Sequence, residues 1–122
     1  PLIFGRLGRM VILGLPGNPV SSIVCARLFL VPLLRAMVGD PTAGEDPSEP
    51  ARLGEAVPAN DMRQDYVRAR PERPADGTTV VLPFPLQDSS MLSVLGAADA
   101  LLVRPPHAPA AKAGEACRIV RL

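Results

Sequence analysis

The residues whose types and spacing could do chemistry lie near the start of the chain, in the run Gly14-Leu15-Pro16-Gly17-Asn18-Pro19-Val20-Ser21-Ser22. It follows a short apolar stretch, Met10-Val11-Ile12-Leu13, and opens a long apolar one, from about Pro19 to Val38. A strand, a glycine-bearing turn and a helix start is a recurring way to hold an anion. The first amides of a helix have no partner within it, and the helix dipole places partial positive charge there. Asn18 is a favoured N-cap, because its side-chain oxygen can accept from an amide one turn on. Pro19 falls at the first helical position, where its missing N–H costs nothing. Gly14 and Gly17 are expected to allow backbone angles that other residues resist and to let a ligand approach closely. The Ser21 and Ser22 hydroxyls can supplement the amides. The chemistry suggested is an oxyanion or phosphate cradle, made by the amides from Gly17 to Val20 and the Ser21 hydroxyl. The same pattern also serves a plain, well-capped helix. It is neither a P-loop, since no Gly-Lys-Ser/Thr follows, nor a GxGxxG fingerprint.

The run resembles the signature of the molybdopterin molybdenumtransferase family, the MoeA proteins and the E domain of gephyrin. Further segments carry the likeness. Pro1-Leu2-Ile3-Phe4-Gly5 resembles the end of a family Lys-Pro-Gly-Lys-Pro-x-x-Phe-Gly segment. Phe29-Leu30-Val31-Pro32-Leu33-Leu34 resembles the helix that ends in Val-x-Pro before a glycine, here Gly39. Asp65-Tyr66-Val67-Arg68 resembles a family strand. Ser89-Ser90-Met91-Leu92-Ser93 with Ala97-Ala98-Asp99-Ala100-Leu101 resembles the Ser-x-x-Leu-x-Ser…Ala-Asn-Gly-Leu stretch, and Gly114-Glu115 the closing Gly-Glu. Asp99-Ala100 stands where Asn-Gly is usual, and Asp88 where a glycine often precedes the serine.

The resemblance implies the C-terminal part of a longer protein that inserts molybdate into adenylylated molybdopterin and releases AMP. It places Pro16, Gly17, Asn18, Pro19 and Ser21 in the substrate site. It implies magnesium as a helping metal, with ligands outside this chain, and a cytoplasmic homodimer whose cleft draws on the second subunit. The family's acidic residues fall upstream, so no catalytic residue is assigned here and the chain alone is expected to be inactive. An alternative is a non-catalytic scaffold module of the gephyrin type, with Pro105-Pro106 beside an exposed sheet edge as a peptide contact. The related adenylyltransferase, which shares the α/β fold, is disfavoured because a β region follows.

The elements that must position these residues divide at a change of composition. Residues 1–44 read as the tail of an α/β domain, a strand plus a helix from a mostly parallel three-layer sandwich. Val20, Val24, Leu28, Val31 and Leu34 share a face widened by Ile23, Leu30 and Met37, which predicts a helix buried on most sides. Pro32 should kink or restart it, and Gly39 should end it. The polar, proline-rich stretch Asp40–Pro50 reads as an interdomain linker. Residues 45–122 read as a small all-β, barrel-like domain. Its strands are 52–57, 65–70, 78–83, 101–104 and 116–121, set apart by Pro, Gly, Asn and Asp. A short helix is expected over 89–95, with Gln87-Asp88-Ser89-Ser90 as a lesser candidate for lining a cleft.

Composition limits the alternatives. The 122 residues carry a formal charge of +1, so no strong field draws nucleic acid or a membrane surface. The apolar share of 48% suffices for a core, and the aromatic share of 3% makes that core aliphatic. Arg63, Arg68, Arg70 and Arg73 read as a solvated strand face balanced by Glu55, Asp61, Asp65 and Glu72, rather than as a patch for a pterin phosphate. Cys25 and Cys117 read as reduced, buried small hydrophobes. His107 reads as a surface loop residue, and the Pro19–Val38 stretch, which contains Arg27, Pro32 and Arg35, not as a membrane span.

Overall fold

The computed structural model describes residues 1–85 and 96–122. The expected helix over 89–95 and the Gln87–Ser90 candidate lie outside them. Two compact units divide between Asp46 and Pro47.

The first unit opens with a hairpin. Strand β1 (Ile3–Leu7) pairs antiparallel with β2 (Met10–Gly14), in a register that sets Leu7 opposite Met10. The two-residue loop Gly8-Arg9 fits a tight hairpin because Gly8 takes φ of 61°. The expected strand and helix are both present. The strand pairing seen among the described residues is this antiparallel hairpin, not a parallel sheet.

The helical stretch runs from Pro19 to Met37 in three pieces, α1 (Pro19–Cys25), a π turn (Ala26–Leu30) and α2 (Val31–Met37). Proline at position 32 cannot donate to the preceding turn, and its ring crowds the carbonyl one turn back. The widened π turn just before it is where the regular ladder yields, and α2 restarts with Pro32 in its first turn. Gly39 ends the helix as expected, at φ of 88°. Its amide donates to the Ala36 carbonyl at 3.0 Å and the Asp40 amide to the Arg35 carbonyl at 2.9 Å, the paired bonds of a Schellman motif.

The expectation of a helix buried on most sides is not met among the described residues. Val20 alone is buried along the three helical pieces, whereas Ile23, Phe29, Leu34 and Met37 are exposed and Val38 is 84% exposed. The physical reason is size. A hairpin and one helix in 46 residues have too little surface to cover a helix on several sides. By length and apolarity this helix would also suit a bilayer crossing. Its Arg27 and Arg35 are the features that speak against that use.

The expected linker is more ordered than its composition suggests. Asp40 accepts from the Thr42 amide and hydroxyl at 2.8 Å each, and from Arg35 Nε at 2.7 Å. The Glu45 amide closes on the Thr42 carbonyl at 3.0 Å, Ala43 is buried, and strand β3 already begins at Glu49. The bonds from Thr42 and then the Arg35 guanidinium hold the Asp40 carboxyl below its ordinary value of 3.8. A depressed carboxyl contributes stability above its unfolded pKa and loses it as pH falls through the folded value. The melting temperature is therefore expected to decline on acidification below about pH 4, and an Asp40→Asn variant to show a smaller decline. Equal declines would remove Asp40 from the account. The effect is small, because the pair with Arg35 is exposed.

The second unit is a closed five-stranded barrel, in the order β3 (Glu49–Leu53), β5 (Val80–Pro83), β4 (Asp65–Glu72), β6 (Ala100–Arg104), β7 (Ala116–Arg121) and back to β3. Every neighbouring pair is antiparallel except β3 with β5. Five strands were expected, with β3 lying earlier than the 52–57 read from the sequence. The close approach at Gly54 fits that early end, since a Cβ there would run into Leu82 Cδ2.

The interior is Ala51, Leu53, Ala69, Val81, Ala100, Leu102 and Ile119, with Val57, Val67, Ala111 and Cys117 packed against it. A barrel of few strands is narrow, so alanine at three of these positions leaves room for the branched side chains at the others. Closure also removes the free edge that a peptide beside Pro105-Pro106 would have extended, because each described barrel strand has two neighbours. The loop after β3 is tied to the loop after β6. Val57 and Ala111 exchange backbone bonds at 2.9 and 3.0 Å, and Asn60 Nδ2 donates to the carbonyls of Arg104 and Pro105. Arg104 Nη2 donates to the carbonyls of Pro58 and Pro109 at 2.9 and 2.7 Å.

Candidate functional site

The helix start is built as its residues dictate. Asn18 takes φ −70° and ψ 127°, the extended geometry favoured before a proline. Its carbonyl accepts from the Ser22 amide at 2.8 Å, and its side-chain Oδ1 accepts from the Val20 and Ser21 amides at 3.1 and 3.3 Å. Pro19 occupies the first helical turn. Of the expected substrate residues, Pro16, Gly17, Asn18, Pro19 and Ser21 thus lie together at one helix start.

The cradle is narrower than the sequence suggests. Pro19 has no N–H, and the Val20 amide is bonded to the Asn18 side chain. The Gly17 amide and the Ser21 hydroxyl are not among the groups bonded to the Asn18 side chain. Gly14 and Gly17 also differ from expectation, since neither is among the glycines with positive φ. Gly14 matters instead for closeness, because a Cβ there would meet Ile3 Cβ at 3.4 Å across the hairpin. At Gly17 the space is open.

Within the barrel the structure singles out a residue that the sequence reading set aside. Arg68 is 5% exposed, the one buried charged residue among those described. Its register places it on the outer face of the barrel. It pairs with Leu101 on β6, and Leu101 with Val120 on β7. All three are buried, yet none belongs to the barrel interior. With Asp65, Tyr66 and Val67, Arg68 lines a cavity of about 260 Å³. Arg63, Arg70 and Arg73 are exposed as expected, and Arg70 pairs with Glu72 at 3.1 Å. Arg68 overturns the solvated-face reading for its own position. A guanidinium keeps its charge when buried, so its place in a polar cavity suits an anion. Alternation along β4 gave no warning, because the outer face of a barrel strand is polar by default.

The remaining sequence candidates stand apart. Cys25 and Cys117 are unpaired and half-buried. Burial pushes the Cys117 thiol up against the opposing charge of Arg104, which marks it as a packing residue rather than a nucleophile. His107 is an exposed loop residue at φ of 59°, its amide bonded to the Asp61 carbonyl. No three His, Cys, Asp or Glu side chains come together among the described residues. The described residues therefore offer magnesium no ligand set.

Comparison with known proteins places this arrangement. The MoeA C-terminal region (domain IV) family matches residues 50–122, which includes the barrel from its second residue on. A molybdopterin molybdenumtransferase of Synechocystis sp. is 30% identical over 122 residues, covering 94% of this chain and 27% of that protein. Among solved structures, a molybdopterin biosynthesis MoeA protein from Pyrococcus horikoshii is similar over 98% of this chain and 29% of its own, with a TM-score of 0.69 and 26% identity. A molybdenum cofactor biosynthesis protein from Pyrococcus furiosus shares the fold over 98% of this chain and 40% of its own, with a TM-score of 0.68 and 24% identity. The chain therefore spans about a quarter of the length of the curated relative it matches. The barrel and its register, together with the family match across them, establish that the chain belongs to the MoeA C-terminal region (domain IV) family.

Proposed function

We propose that this chain acts in molybdenum cofactor biosynthesis, within a cytoplasmic, homodimeric enzyme that inserts molybdate into adenylylated molybdopterin and releases AMP. The observation that carries the reading is the family match over residues 50–122. The 30% identity to a molybdopterin molybdenumtransferase, which extends across the helix start, supports it.

In this reading Pro16, Gly17, Asn18, Pro19 and Ser21 belong to the substrate site. The Asn18 cap fixes the helix start, and Pro19 sets the direction of the chain there. The Gly17 amide and the Ser21 hydroxyl donate to an oxyanion, either molybdate or a phosphate of the substrate. Within the barrel, taken by itself, Arg68 offers positive charge to an anionic group. These donors act by being oriented in advance rather than by moving protons.

The test is calorimetric titration of the intact protein with molybdate and with AMP. Ser21→Ala is expected to weaken binding of one of them roughly tenfold, as loss of a hydrogen bond to a charged group does, with an unchanged melting temperature. Asn18→Ala should instead lower stability by about 1 kcal/mol through the lost cap. Unchanged affinity for both ligands in Ser21→Ala would make this helix start purely structural.

A further inference from the structure

No further inference is drawn: the strongest candidate, the cavity of about 210 Å³ lined by Arg104, Cys117 and Arg118 where β6 lies against β7, carries nothing, because the pairing of Val103 with Arg118 turns the two guanidinium groups to opposite faces of the sheet.

Discussion

Arg68→Met in the intact protein is expected to weaken AMP or molybdate binding by at least about 30-fold while leaving the fold in place. The size follows from desolvation. Removing one partner of a buried, hydrogen-bonded charge pair costs about 2–5 kcal/mol, whereas a rim charge costs little. Arg68, at 5% exposure and lining a cavity of about 260 Å³, is placed to be the buried partner of such a pair with a bound anion. Methionine fills much of the same volume without a charge. Replacing a whole buried ion pair by apolar groups is often neutral, but removing one partner alone costs stability, so Arg68→Met should also lower the melting temperature. The two effects are read by separate measurements. Calorimetry reports affinity, and a melting curve reports the fold. Arg68→Lys keeps the charge but loses the planar fork, so its affinity should fall between wild type and Arg68→Met. Unchanged affinity for both ligands in Arg68→Met would overturn the binding role. A collapse of the melting temperature with affinity retained in the folded fraction would make Arg68 a structural residue.

Leu102→Ala is expected to destabilise the barrel by about 2–5 kcal/mol, a large part of the 5–15 kcal/mol typical of a whole domain. Leu102 is fully buried and central to the interior cluster. Its neighbours make the loss hard to repair. Ala51, Ala69 and Ala100 carry only a methyl group, with no rotamer that could fill the space, and the closed strand ladder keeps the backbone from collapsing inward. The cost should therefore lie toward the upper end. Denaturant unfolding of the 122-residue chain measures it, with Val38→Ala as the comparison, since Val38 is 84% exposed and its truncation should change little. A loss below about 1 kcal/mol for Leu102→Ala would show that the interior is loosely packed and that the barrel draws its stability from elsewhere.

The sequence by itself determined the local punctuation. Asn18-Pro19 sets a helix start because an Asn side chain accepts from the amides one turn on and a proline there loses no hydrogen bond. Gly39 sets the end because only a residue at ease with positive φ closes the Schellman bonds. Pro32 announces an interrupted helix, and the five barrel strands are legible because Pro, Gly, Asn and Asp break the chain at nearly every turn between them. The hairpin strand β1 is legible too, in the two-residue loop Gly8-Arg9 between apolar stretches. The order at Asp40–Glu45 was hidden for a related reason. Its polar residues satisfy one another and Arg35, and composition does not distinguish that from a solvated linker.

Tertiary structure decided what depends on residues far apart in the chain. The parallel β3–β5 pairing and the closure of β7 onto β3 join segments by contacts that no local pattern encodes. Closure in turn removed the sheet edge on which a peptide contact would have depended. Burial of Arg68 is the clearest case. Along β4 it alternates as an outward residue should, and nearby acids make a solvated face the natural reading. It shares that outer face with Leu101 and Val120, both likewise buried, a row that three strands create only once their register is set. Exposure of the Pro19–Val38 stretch follows the same logic in reverse. Periodicity says which face of a helix is apolar, but whether that face is covered depends on what packs against it.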